Sequence, residues 1–406
     1  MSAERRQGRL AIHGGTPLRT KKMPWRQAFG PGEKDQLMVA VEYYLDREED
    51  PPYTGHFKDQ YCAAFSDFMG GGYTNAVSSG TAALYIGIAA MQLPKGSEII
   101  LSPVTDSGSL TPIILQGYVP VVVDSAPDSY NVGVEQFIER ITPNTRAVLI
   151  VHAAGEPLKD IDLLVDEAHK RNILVLEDCS QATGGTWNGQ KVGTFGDIAA
   201  FSTMYRKNLA GGASSGLVYT QNLDLHRLAL GYSDRGKPLW RTDLDFRDPA
   251  FADFPALNFN TDELSSAIGL ASLRRLQDTI DRRMQFLGRF VELLRARSSA
   301  CYPYAFHEGF SPFYYPVFVD VEKLSCSKIE FAEAVAAEGI GLGVHYGCLV
   351  NTWPWASSYL SDDFVAQNAL SARDRAFHIY LNENYGEDEA QDTVAAIEKV
   401  ENFYLK

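Results

Sequence analysis

Between residues 73 and 220 the chain alternates short apolar runs with amphipathic stretches. The runs at 98–101, 119–123, 147–151, 173–177 and 198–201 are nearly continuous in apolar character. Strands covered on both faces require such runs, whereas half-exposed strands alternate. Between them, 81–91 and 158–171 carry helical spacing. Strands alternating with helices predict βαβ units and a mainly parallel sheet in an α/β domain. The first thirty residues, rich in Gly, Pro and Arg, predict an irregular arm. A helix is expected over 33–45 and a loop over 49–55, around Pro51 and Pro52. Residues 261–297 read as long helices leading into a smaller α+β unit. There, strands are expected at 314–321 and 339–345, and helices at 328–338 and 387–404. The expected division is an arm over 1–32, a large domain over 33–275 and a small C-terminal domain over 276–406. No internal repeat or low-complexity tract interrupts it.

Composition narrows the class of partner. A length of 406 residues exceeds one ordinary domain. The formal net charge of −14 argues against nucleic acid, which needs a basic patch. No stretch approaches the roughly 20 apolar residues that span a bilayer. The start, MSAERRQGRL, carries no apolar secretory region. The five cysteines form no close pair and read as reduced thiols. A cytoplasmic location with no membrane partner is expected. The eight histidines show no ligand spacing, so no catalytic metal is expected.

Ligands of such a sheet bind at the carboxyl ends of its strands, and three candidates fall there. Ser78-Ser79-Gly80-Thr81 precedes a predicted helix, whose free N–H groups suit a phosphate; an ordinary helix cap would use the same residues. Glu177-Asp178 ends an apolar run. A carboxylate there can pair with a protonated pyridine nitrogen, keeping the ring able to accept electrons, or serve only as a structural acid. Lys207 follows the run ending at Phe201-Ser202. Its amine can form a Schiff base with an aldehyde cofactor, or lie in a solvated loop. The order phosphate turn, aspartate, lysine fits pyridoxal 5'-phosphate enzymes of the aspartate-aminotransferase fold, fold-type I.

The chain also resembles the DegT/DnrJ/EryC1/StrS sugar aminotransferases from about residue 10 to the C-terminus. The likeness is densest in Ala76-Val-Ser-Ser-Gly-Thr-Ala-Ala-Leu84, Val151 to Pro157, Val175-Leu-Glu-Asp-Cys-Ser-Gln-Ala182 and Phe201-Ser202 through Lys207-Asn208-Leu209. It continues at Asn258 and Ala267-Ile268-Gly269. The resemblance implies that Lys207 holds pyridoxal phosphate, Asp178 pairs with its ring nitrogen and Gln181 lies on its phenolic-oxygen side. It implies that Gly80, Thr81 and Ser202 bind the phosphate, and that Asn258 reaches the neighbouring subunit's phosphate in a homodimer with shared sites. His345 and Tyr346 fall where substrate-side groups occur.

Four departures bear on the substrate. The family's ring-stacking aromatic is missing from Pro103-Val-Thr-Asp-Ser-Gly-Ser109, with Ser107 near its place. Met204 replaces a histidine, Ala210 to Gly216 replaces a glutamate-bearing glycine run, and Asn260 replaces an arginine. The expected function is transfer of an amino group from an amino acid, Glu or Gln, to a ketone on a sugar or cyclitol, in aminosugar or antibiotic biosynthesis. The loss of charged groups predicts an acceptor not held through a nucleotide diphosphate. The rivals are a dehydration on the same scaffold, which would replace Lys207 with histidine, and a cofactor-binding regulator without turnover.

Overall fold

A computed structural model describes residues 9–406. The first eight residues of the expected arm lie outside the described residues. The rest of the arm is irregular apart from a short turn at Ala11–His13, yet it is firmly seated. Glu338 accepts the backbone N–H groups of Ala11 and Leu18, both at 2.9 Å. Arg19, 6% exposed, pairs with Glu389 at 2.7 Å and Asp392 at 2.6 Å.

Helices α1 (Pro31–Arg47) and α2 (His56–Met69) lead into strand β1 (Tyr73–Val77) and helix α3 (Gly80–Ala90). There follow β2 (Glu98–Leu101), α4 (Ser107–Leu115), β3 (Val119–Val122), α5 (Val134–Glu139), β4 (Thr145–Val151), α6 (Ile161–His169) and β5 (Leu174–Asp178). A small hairpin, β6 (Thr186–Trp187) with β7 (Gln190–Lys191), precedes β8 (Ile198–Ser202), β9 (Gly216–Thr220) and α7 (Leu223–Ser233). The large sheet has the order β1-β9-β8-β5-β4-β2-β3. Only β9 runs against the others. Strands β5 and β8 are buried almost throughout, as their continuous apolar character predicts. The register sets Val151 beside Asp178, Asp178 beside Ala200, and Ser202 beside Gly216, itself beside Val77. The ends of β1, β4, β5 and β8 therefore meet along one edge.

Two helices, α8 (Glu263–Arg274) and α9 (Leu276–Arg297), occupy the stretch expected to be helical. The second unit holds β10 (Cys301–Pro303), β11 (Tyr314–Val319), α10 (Lys328–Ala337), β12 (Leu342–Gly343), α11 (Gln367–Arg375), β13 (Ala376–Tyr380) and α12 (Glu387–Tyr404). Its antiparallel sheet has the order β10-β11-β13-β12. The strand expected over 339–345 shrinks to two residues, because Gly341, Gly343 and Gly347 weaken extended pairing there. No described helix is long and apolar enough to cross a membrane.

The two units are tied by a buried charge network. Arg283 on α9, 1% exposed, donates to Glu383 at 2.7 and 3.2 Å and to the carbonyl of Pro312 at 2.9 Å. It also donates to the side-chain oxygen of Asn208. Asn208 in turn donates to Ser311 Oγ at 2.7 Å. A buried guanidinium is tolerable only when its donors are matched in this way. Arg283→Ala should therefore lower folding stability by about 3–5 kcal/mol, since it strands the Glu383 carboxylate in the interior. Denaturant unfolding checks this, and a loss below about 1 kcal/mol would show that the network contributes little.

Candidate active site

The carboxyl edge of the large sheet opens into a cavity of about 480 Å³. Ser79, Gly80 and Thr81 line it from the start of α3, Asp178 and Gln181 from the end of β5, and Ser202 and Lys207 from the end of β8. The segment after β12 adds Tyr346 and Cys348, and the end of β13 adds Tyr380. The residues expected to share a site are thus brought together from segments more than a hundred positions apart.

The turn at Gly80 is built by close approach. Ser79 caps α3, accepting the N–H of Ala82 at 3.0 Å. The remaining first-turn N–H groups face an anion-binding position. A Cβ on Gly80 would lie 2.6 Å from Ser202 Cβ, so only glycine lets the turn pack against the end of β8. Thr81 and Ser202 add hydroxyls at the cavity wall.

Asp178, 4% exposed, is oriented by two donors. Ser109 Oγ reaches Oδ2 at 2.8 Å, and the Ser180 N–H reaches Oδ1 at 3.0 Å. Ser109 is itself fixed by the Thr105 hydroxyl at 2.7 Å. An ionised carboxylate has about four acceptor positions, so Asp178 keeps capacity for a ring N–H. Glu177 faces away and is spent on structure. It accepts the N–H groups of Gly193, Phe195 and Gly196 at 2.6–2.9 Å. His152 Nδ1 accepts the N–H of Leu158 at 2.9 Å, so the proton sits on Nε2 and is donated to Glu177 at 3.1 Å. With Cys179, these two form a buried cluster whose geometry could hold a metal, but the His–Glu pair is already saturated by hydrogen bonds.

Gln181 is fixed in the same manner. Its Oε1 accepts the N–H of Ala154 at 2.8 Å, and its amide N–H lies within reach of the Tyr346 hydroxyl in the same cavity. Ala154 has φ 62° and Gly155 φ 91°. This left-handed turn costs a β-carbon residue about 1–2 kcal/mol, offset by bonds from Gln181 and from Asn131, which accepts the Ala153 N–H at 2.8 Å.

Lys207 Nζ lies 4.3 Å from the centroid of the Phe313 ring. Burial pushes its amine down to about 8, opposed by Asp178, Asp106 and Cys348 and assisted by Arg26. Arg26 donates to the backbone carbonyls of Tyr205 and Lys207. It lines an adjoining cavity of about 520 Å³ that shares Arg206, Phe313, Tyr314 and Tyr380 with the first.

Not every expected residue converges. Tyr346 lines the cavity, but His345 is exposed in a separate surface depression with Lys328 and Asp374. The chain bends at Val344 and His345, just after β12, and the two neighbours diverge there. Asn258 is exposed and lies outside its own subunit's cavity, accepting the backbone and side-chain N–H groups of Asn260, both at 3.0 Å. The expected vacancy near Ser107 is shifted by one position: Asp106, not Ser107, lines the cavity. None of Ala210 to Gly216 lines it either; Ser214 instead donates to the Ser78 carbonyl at 2.7 Å, behind the phosphate turn. Asp106, Ser109, Arg206, Phe313 and Cys348 were not singled out from sequence. Of these, only the run 103–109 was marked there, by its missing aromatic.

A buried lysine of lowered basicity, a carboxylate held at the next strand end and a helix-capped phosphate turn define the site of an aldehyde-cofactor enzyme with the type I fold. The sequence pattern of the DegT/DnrJ/EryC1/StrS aminotransferase family matches residues 45–398, and the chain belongs to that family of pyridoxal-phosphate-dependent aminotransferases. The spore coat polysaccharide biosynthesis protein SpsC of Bacillus subtilis is 28% identical over 84% of this chain and 88% of its own. A putative L-glutamine:3-amino-2,3-dideoxy-scyllo-inosose aminotransferase of Micromonospora echinospora is 28% identical over 68% of this chain and 63% of its own. The crystal structure of an aminotransferase from Psychrobacter cryohalolentis superposes with a TM-score of 0.85 at 23% identity, over 95% of this chain and 100% of that one.

The position of Lys207 sets a pH dependence. Only its neutral amine can attack an aldehyde, and the neutral fraction grows as pH rises through about 8 rather than through the roughly 10.4 of a free lysine. The rate at which the apoprotein takes up pyridoxal phosphate, followed by absorbance, should rise and level off around pH 8–9. A rate still climbing at pH 10 would contradict this.

Proposed function

We propose that this chain moves an amino group from glutamate or glutamine to a ketone on a sugar or cyclitol, in the making of an aminosugar or an antibiotic precursor. The observation that carries the reading is the convergence of Lys207, Asp178, Gln181 and the Gly80–Ser202 cradle on one cavity. Bound there, pyridoxal phosphate would carry the amino group between the two substrates and draw off electrons as a C–H bond breaks. The cradle fits its phosphate, since the close contact of Gly80 with Ser202 and the capped helix start leave N–H groups and hydroxyls facing one position. Lys207 Nζ would hold it covalently and, once displaced by substrate, carry a proton from one carbon to the other. Asp178 would keep the ring nitrogen protonated, with Ser109 and the Ser180 N–H preventing the carboxylate from turning away. Gln181 would donate from the other side, its carbonyl oxygen being taken by Ala154.

The names of the relatives support the substrate class, since one is given to a cyclitol ketone and another to polysaccharide biosynthesis. A free or simply substituted ketone suits the charge layout. Arg235 and Arg241 are occupied by Asp234 and Asp243, and Arg26 by two backbone carbonyls. Arg206 is the one guanidinium lining the cavities with neither an acid in ion-pair contact nor a backbone carbonyl partner among the described residues. A diphosphate needs paired cations.

The holoenzyme's visible absorbance should fall on adding glutamate or glutamine, and Asp178→Asn should slow that change in a single turnover by about a hundredfold, ~2.7 kcal/mol of barrier. A spectrum that responds to no amino acid would favour the regulator reading, and a near-normal rate in the variant would assign the ring nitrogen to another group.

The proposed working unit is a homodimer in which Asn258 serves the partner's phosphate site. Its exposure away from its own cavity supports this. Lys207→Ala and Asn258→Ala proteins, each inactive alone, should regain about a quarter of wild-type activity when mixed and allowed to exchange, because half the dimers would then carry one intact site. No recovery despite demonstrated exchange would place Asn258 outside the shared site.

A further inference from the structure

The run Val151 to Pro157 is one of the densest in family likeness, yet none of its residues lines the cavity. At its middle is the left-handed turn of Ala154 and Gly155. Ala153, Ala154 and Gly155 are buried, so their backbone groups must find partners within the protein. The Ala153 N–H goes to Asn131 Oδ1 and the Ala154 N–H to Gln181 Oε1, both at 2.8 Å. The Ala154 carbonyl accepts the N–H of Phe313 at 3.2 Å, and the Gly155 carbonyl accepts that of Ser311 at 2.9 Å. Gln181 and Phe313 both line the cavity, and Phe313 is the ring against the Lys207 amine. A single residue, Ala154, thus anchors one wall of the cavity through its N–H and another through its carbonyl.

The turn is held from behind by Glu156, 6% exposed. Asn131 Nδ2 donates to the Glu156 carboxylate at 3.0 Å and to its backbone carbonyl at 3.1 Å, which fixes the amide so that Oδ1 faces Ala153. Tyr304 donates to the same carboxylate oxygen and accepts the Tyr130 N–H at 3.0 Å. A left-handed residue with a β-carbon persists only where its surroundings over-determine it, and the clasp of Glu156 on Asn131 is part of that determination. We propose that Glu156 is a positioning residue: through Asn131 it holds the turn at Ala154, and the turn keeps the Gln181 side chain and the Phe313 ring in their places in the cavity. With the clasp released, the Asn131 amide is free to rotate, the Ala153 N–H loses its acceptor and the turn relaxes. Phe313 then draws back from Lys207 and water reaches the amine. What the two groups are used for rests on the cofactor reading above; the mechanical link to Lys207 does not.

The test compares Glu156→Leu, which removes the acceptor, with Glu156→Gln, which keeps an oxygen for both donors. Burial already pushes the Glu156 carboxyl up to about 7, so the neutral amide is close to its protonated form. The full-length protein without cofactor is labelled with an acylating reagent across a range of pH, and Lys207 is followed by peptide mass spectrometry. The midpoint of the wild-type profile should lie at about 8. In Glu156→Leu it should move to about 9 or higher, toward the roughly 10.4 of a free lysine, because burial is what lowers it. At pH 8 that leaves about a tenth of the amine neutral instead of half. Asp178, Asp106, Cys348 and Arg26, whose charges also act on the amine, are unchanged in the variant. Glu156→Gln should keep the wild-type midpoint. So should Val394→Ala, a core truncation on α12 outside both cavities that lowers stability without touching the turn. A Glu156→Leu midpoint still at about 8 would overturn the proposal, and so would an equal rise in Val394→Ala, which would make the effect one of general loosening. Should Glu156→Leu fail to fold, Asn131→Ala removes the acceptor of Ala153 directly and should show the same rise; a midpoint left at about 8 there would be equally fatal. Cofactor binding separates the two readings. The Kd for pyridoxal phosphate, measured by absorbance, should rise about fivefold in Glu156→Leu as Gln181 drifts and stay within about twofold in Glu156→Gln. An unchanged Kd beside a shifted midpoint would refute the part assigned to Gln181. No uptake by the wild type would sink the cofactor reading, while the labelling profiles would still decide whether Glu156 governs the Lys207 amine.

Discussion

The buried setting of the Lys207 amine depends on a guanidinium that never touches it. Lys207 sits on a connection between two strands, and a lysine on an untethered loop would be solvated and fully basic. Arg283 prevents this by gripping Asn208, the next residue, while Glu383 holds Arg283 from the other side. Arg26 takes the carbonyl of Lys207 itself. Three segments remote in sequence thereby fix one short turn, and the fixed turn keeps the amine against Phe313 in a setting of low polarity. The polar network is placed behind the site, where its charges are matched, and the site receives only its rigidity.

The opposite wall follows the same logic with neutral donors. Asp178 and Gln181 each spend one oxygen on a backbone N–H, at Ser180 and Ala154, and so present the remaining atoms in one orientation. Glu177 turns to the other face of the same strand end and is consumed by the turn at 193–196. Two adjacent acids thus part by the alternation of a strand: one anchors a loop, the other lines the cavity.

Much of this was legible in the chain. The continuous apolar runs gave the buried parallel strands to within a residue or two, because burial on both faces leaves no room for polar alternation. Lys207, Asp178 and the Gly80 turn were legible because each stands at a strand end, where such sheets hold ligands. The strand β9 was not singled out, since Gly216–Thr220 lies behind a glycine- and serine-rich segment that reads as loop. His345 could not be separated from Tyr346 by type, as both are polar rings in a glycine-rich stretch; only the direction of the backbone decides between them. Arg283 was hidden for another reason. On an amphipathic helix an arginine reads as solvent-facing, and nothing local announces that residues 208 and 383 will meet it.

The reach of that network also dictates an order of assembly. The strands of the large sheet and the turn carrying Lys207 are complete by residue 220, yet the carboxylate that steadies Arg283 belongs to residue 383. A chain growing from its N-terminus can lay down the sheet long before it can lock the lysine. The arginine that holds Asn208, the neighbour of the lysine, therefore gains its matching charge only when the segment after the final strand has emerged and docked.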